Sequence, residues 1–166
     1  MKYFNVVLFA VVCLLISCDR HDDEGIYVHK EIVKEFEPRS QVVDWGSLTP
    51  EERRQYPRKG FVINSEAEYP NEPNINMTDL KLMDIDFTRY TLLVHYFIIP
   101  GYVKSHRLFW YYDNADQIYA FQSDFDTVYP DANSDAEDDW FTYYRAAILV
   151  NKISSDSKVS FRYSYH

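Results

Sequence analysis

Thr91 to Ile99, "TLLVHYFII", is apolar on both faces of an extended chain apart from His95. Side chains alternate across a strand, so a strand with one wet face carries a polar residue at every second position. This stretch does not, and it therefore belongs in the centre of a sheet. Asp86 to Tyr90, "DFTRY", leads into it, and Pro100 and Gly101 turn the chain behind it.

The flanking sequence supplies partners for such a strand. Arg107 to Tyr112 and Ile118 to Phe125 flank "DNADQ", a polar turn suited to a hairpin. Trp140 to Val150 is a further aromatic and aliphatic run, separated by "SSDS" from a terminal strand that alternates cleanly. Val159, Phe161, Tyr163 and Tyr165 face one way there, and Ser160, Arg162, Ser164 and His166 the other. The second half thus reads as antiparallel sheet in a meander. In the first half, Gly60 to Asn64, "GFVIN", is a compact buried strand, while Ile26 to Phe36 fits a strand or a short helix and is read as a strand. Thr49, Pro50 and Glu52 predict a helix start with Thr49 as N-cap and Glu52 closing a capping box; Pro57 and Gly60 keep that helix short. Ser65 and Glu68 predict a second box whose helix Pro70 stops, and residues 70 to 79 read as loop. The expected fold is α+β, a mainly antiparallel sheet of five or six strands with one or two short helices.

The N-terminus constrains location. Val6 to Ile16 is an apolar run of eleven residues behind a basic start, about half the ~20 that a spanning helix needs, so residues 1–17 read as a secretion signal. Leu15, Ile16, Ser17 and Cys18 resemble the lipobox of bacterial lipoproteins. That resemblance implies cleavage before Cys18, a diacylglycerol on its sulfur and an acylated amino group, such as a palmitate. The alternative is ordinary secretion with a free thiol, a route that prefers small residues at both positions before the cut; of Leu15 and Ser17 only one is small. Because Cys13 leaves with the signal and the Cys18 sulfur carries lipid, no cysteine remains for a disulfide or for thiol catalysis. Several acyl chains on one residue, at about 0.8 kcal/mol per buried methylene, hold a protein on a membrane without crossing it.

Asp19 to Glu24 follow as an acidic tether, residues 18–25 with the anchor. Such acid behind the cysteine looks like the surface-export signal of Bacteroidota lipoproteins, and it also fits an extended, self-repelling linker. The expected location is the cell envelope, as an outer-membrane lipoprotein, possible surface display included. Residues 26–166 remain for a single globular domain. With 17 basic against 26 acidic residues the net charge is -9, and nucleic acid is a poor partner.

That charge is segregated. Between Arg107 and Arg145 lie nine acids and no Lys or Arg. Repulsion on this scale asks for water, a cation or a basic partner, so Asp131, Asp135, Asp138 and Asp139 are candidate binding residues for a protein. Asp131, Asn133 and Asp135 match the first three ligand positions of a calcium loop. The match then fails, with Ala136 where the loop wants Gly and Thr142 where it wants Glu.

Other chemistry is thin. None of the five His sits at a metal-binding spacing, and His95 reads as a core histidine that finds a hydrogen bond. Serine-nucleophile motifs and phosphate-binding glycine loops are absent. Asp84 and Asp86 fall on one side of an extended segment, and glycosidases use two carboxylates, yet in so acidic a chain close pairs arise by chance. Aromatic residues offer more. On paired strands, Phe109, Tyr111, Tyr119 and Phe121 are expected to share one face, with Trp110 and Tyr112 on the other. If that second face is open, its rings suit sugars or a protein interface. If it is covered, they are packing.

The order "GFVIN-SEAEY" and then "IDFTRYTLLVHYF" is similar to PrcB-like protease-partner domains, over residues 55 to 165. The resemblance implies a protein that binds other proteins at the envelope and has no catalytic site to carry over. The expected function is a non-catalytic, lipid-anchored binding module with an envelope protein partner. Carbohydrate or small-ligand capture on an aromatic sheet face is the alternative, and a carboxylate hydrolase a third.

Overall fold

The apolar run becomes β5 (Tyr90–Pro100), in which every residue from Thr91 to Ile99 is buried. The computed structural model describes residues 27–72, 74–128 and 140–166. Antiparallel neighbours flank β5 on both edges: β4 (Lys59–Ile63) on one and β8 (Trp140–Asn151) on the other. The far edge of β8 pairs with two successive short strands, β2 (Ile32–Glu35) and β3 (Arg39–Asp44), which meet its two ends. A second sheet runs in the order β1 (Tyr27–His29), β6 (Tyr102–Asp113), β7 (Ile118–Val128), β9 (Val159–Tyr165).

The expectation of a mainly antiparallel, sheet-rich fold with short helices therefore holds, but one sheet of five or six strands becomes two sheets with nine strands among the described residues. The meander is corrected as well. Pro100 and Gly101 do not fold β6 back onto β5; they carry the chain from one sheet into the other. Gly101 takes φ 74°, its N–H bonds to the Trp140 carbonyl (2.9 Å), and its own carbonyl accepts from the Thr142 hydroxyl (2.7 Å). Strand β9 then pairs with β7 in parallel.

Two apolar clusters hold β5 from opposite sides. Leu93, Phe97 and Ile99, with Ala146, Ile148 and Val150 of β8, meet Leu108, Trp110, Phe121 and Phe125 of the second sheet. Leu92, Val94 and Tyr96 on the reverse face are covered by Ile75, Met77 and Leu80 of the segment before β5. That segment contains α2 (Thr78–Lys81), a helix within and just beyond the stretch read as loop. The Thr49 capping box forms as expected on α1 (Pro50–Arg53). At Ser65 only a 3-10 turn, Glu66–Glu68, appears: the Ser65 hydroxyl donates to Glu68 rather than accepting a backbone N–H. One glycine is fixed by packing. The ring of Phe161 lies on Gly60, where a Cβ would come within 2.2 Å of it.

Candidate functional site

On the reverse face of the β4-β5-β8 sheet a cavity of about 520 Å³ opens beside the covering segment. Its floor is Tyr96 of β5 with Tyr143 and Arg145 of β8. Tyr96 and Arg145 are direct cross-strand partners, and Tyr143 lies two positions away on the same face. One wall is β3, through Arg39, Ser40 and Gln41; the others are Gln55 and Tyr56 after α1, and Asn74 and Asn76 from the cover.

The rings are in contact. Tyr96 and Tyr143 stack with centroids 5.8 Å apart, and Tyr56 meets Tyr143 edge-on at 5.1 Å. Trp45 backs Tyr56 at 6.0 Å. Burial raises the pKa of the Tyr96 and Tyr143 hydroxyls, so both stay protonated and able to donate. Tyr96 donates to the Asn76 carbonyl at 2.8 Å.

Arg145 is 3% exposed. Its Nη1 and Nη2 donate to the two carboxylate oxygens of Asp79 at 2.7 and 2.6 Å, and Nη1 also reaches the Asn76 carbonyl at 3.2 Å. The exposed Arg39 adds a third contact to Asp79, Nε to Oδ2 at 3.1 Å. The hydrogen bonds from Arg145 draw the Asp79 pKa down to about 2. Asp79 is thus a fixed anion, unable to deliver a proton near neutral pH. Two groups are left over: neither Arg145 Nε nor the Tyr143 hydroxyl has a hydrogen-bond partner, although both are buried.

The residues singled out by sequence fall elsewhere. Cys18, Asp131, Asn133, Asp135, Asp138 and Asp139 lie outside the described residues. Of the other acids in that stretch, Asp124 accepts from Gln122 and Ser164 and Asp126 from Ser105, so both are engaged within the second sheet. Among the described residues no group of three or more His, Cys, Asp or Glu is placed to hold a metal. Trp110 is 3% exposed and stacks on Tyr119 at 5.0 Å inside the sandwich. Tyr112, half-buried, packs edge-on against the same ring. The face assignment is corrected by the register, in which Trp110 opposes Phe121 and Tyr112 opposes Tyr119. These four share the inner face. The outer face carries Phe109 and Tyr111 with Tyr27, Gln122 and Arg162, around a smaller hollow of about 320 Å³. There the Arg162 guanidinium meets the Tyr111 hydroxyl at 3.3 Å and Asp113 at 3.6 Å.

His95 faces the sandwich, its ring 4.6 Å from that of Phe97 and 5.3 Å from that of Phe161. Its Nδ1 has no partner, against the expectation of a hydrogen-bonded core histidine, and burial lowers its pKa to about 4. Comparison with protein-family models, curated proteins and solved structures finds no match to this chain.

Proposed function

We propose that this chain is a lipid-anchored cell-envelope protein whose domain is a non-catalytic binding module, and that it takes a small ligand in the Tyr56–Tyr143–Arg145 cavity. The lipobox-like sequence before Cys18 supports the anchor. The observation that carries the binding site is the pair of buried, unpartnered polar groups on residues that line an aromatic-walled cavity. A volume of about 520 Å³ lies in the range of small-molecule sites, roughly 300–1,000 Å³. Catalysis is disfavoured because no carboxylate among the described residues lines the cavity, and Asp79, bonded to Arg145 of its floor, is held ionised between two guanidiniums. A protein partner docked on the acidic stretch draws less support, since Asp124 and Asp126 are bonded internally.

Trp45, in contact with Tyr56, supplies a reporter. Titrating the full chain with size-fractionated hydrolysates of envelope glycans should change its tryptophan fluorescence saturably, and Tyr56→Ala should abolish the change. If no fraction gives a saturable change, the small-ligand reading falls.

A further inference from the structure

We infer that the ligand of this cavity is a carboxylate carried on a saturated ring, an acidic sugar of the uronate type, held by Arg145 and Tyr143; the inference rests on the small-ligand reading above. Three observations converge on it.

The first is the kind of group left unsatisfied. Arg145 Nε is a donor only, and the Tyr143 hydroxyl keeps its proton, so what the cavity lacks is acceptor oxygen. Buried donors without partners are uncommon, and each is costly. The other two among the described residues, His95 Nδ1 and Ser123 Oγ, belong to side chains that point into the closed sandwich, where no ligand enters. Only the pair on β8 belongs to residues that line an open cavity.

The second is charge. Two guanidiniums share the single carboxylate of Asp79, which leaves one positive charge uncompensated at the wall. The segment that lays Gln55 and Tyr56 over the cavity runs from Arg53 to Lys59 with four cations and no acid; Arg54 and Lys59 pair with Glu51 and Glu72, and Arg53 and Arg58 are the other two. In a chain of net charge -9, this is a local reversal of sign. An anionic acceptor is therefore preferred to a neutral one. One free guanidinium N–H and one free hydroxyl suit a carboxylate; a phosphate or sulfate, with three or more oxygens, calls for more free donors than these two.

The third is the surroundings. Tyr56 and Tyr143 offer ring surface on which the C–H face of a sugar can lie, and Gln41, Gln55 and Asn74 place amides at the rim for its hydroxyls.

The test compares D-glucuronate and D-galacturonate with D-glucose and D-galactose, and with inorganic sulfate and phosphate, on the full chain, by calorimetry and tryptophan fluorescence. At least one uronate should bind about tenfold or more tightly than its neutral counterpart. Tyr143→Phe should weaken it by about tenfold while leaving thermal stability unchanged or higher, because the hydroxyl it removes is unpartnered. Arg39→Gln, at an exposed position on the cavity wall, should weaken the uronate more than it weakens the neutral sugars. Equal binding of acidic and neutral sugars overturns the carboxylate and leaves the small-ligand reading standing. Sulfate or phosphate matching the uronate overturns it too. If none of these compounds binds, the inference is wrong, and the glycan-hydrolysate titration decides separately whether the cavity is a ligand site at all.

Discussion

Replacing Asp79 by Asn should destabilise the domain more than replacing its partner Arg145 by Met. The two residues are unequally buried, with side-chain exposures of 26% for Asp79 and 3% for Arg145. Asp79→Asn leaves the Arg145 guanidinium in the sheet with no countercharge and with Nε still unpaired. Breaking a buried pair in that way costs about 3–5 kcal/mol. Arg145→Met removes the buried charge itself, fills the same stem volume, and leaves Asp79 in contact with Arg39 and partly in water. Its cost should be about 1–2 kcal/mol. Urea unfolding at pH 7 should therefore separate the variants by about 2 kcal/mol, with unchanged slopes. Asp79 also fixes the pH window. Its folded pKa, about 2, lies below the ordinary 3.8, so the ion pair contributes fully above pH 3.8 and is lost as pH falls towards 2. The gap between wild type and Asp79→Asn should narrow by about 2 kcal/mol across that interval. Equal costs for the two variants, or a larger one for Arg145→Met, would refute the claim that an unpaired buried guanidinium dominates.

Gly60→Ala places a methyl 2.2 Å from the Phe161 ring and should cost about 1–3 kcal/mol, largely recovered in Gly60→Ala/Phe161→Leu; thermal unfolding of the single and double variants checks this. For His95 the folded pKa of about 4 lies below the ordinary 6.5, so the unfolded chain takes up the proton first and stability falls as pH drops from 6.5 to 4. The loss approaches about 3 kcal/mol, and denaturant titrations of His95→Leu should lack that slope. Trp110→Ala should cost about 3–5 kcal/mol as a core deletion. Cys18→Ser should abolish labelling of the chain by radioactive palmitate in growing cells and release it from the membrane fraction.

How far the fold could be read from sequence depended on how local the deciding contacts are. Thr91 to Ile99 announced a central strand because burial on both faces leaves its mark at every position. The Thr49 box needs only four residues and formed as written. The aromatic strands failed by a single residue. Taking "DNADQ" as the whole turn pairs Tyr112 with Ile118, whereas the structure pairs Asp113 with Ile118 and leaves four residues in the loop. A slip of one residue exchanges the two faces of the partner strand. That slip is what puts Trp110 inside with Phe121. Asp113 holds the shorter loop, its carboxylate accepting the N–H groups of Ala115 and Asp116 at 3.1 and 3.2 Å, a contact that composition does not reveal.

The cavity was less legible, because β3, the post-α1 segment, the cover, β5 and β8 each supply part of it. Arg145 marked only the end of an acidic run in sequence, and its partner Asp79 is 66 residues away. A local signal was the run from Arg53 to Lys59, a cationic stretch in an acidic chain. Strand alternation supplied a second, weaker signal. Tyr143 and Arg145 precede Ala147 and Leu149 on the face of β8 that Ile75, Met77 and Leu80 cover, yet they are polar where the strand continues as apolar. A polar end on a buried face must be met by bonds from elsewhere or by a ligand. Asp79 meets two of the guanidinium nitrogens of Arg145, and the cavity borders the side chain whose remaining N–H has none.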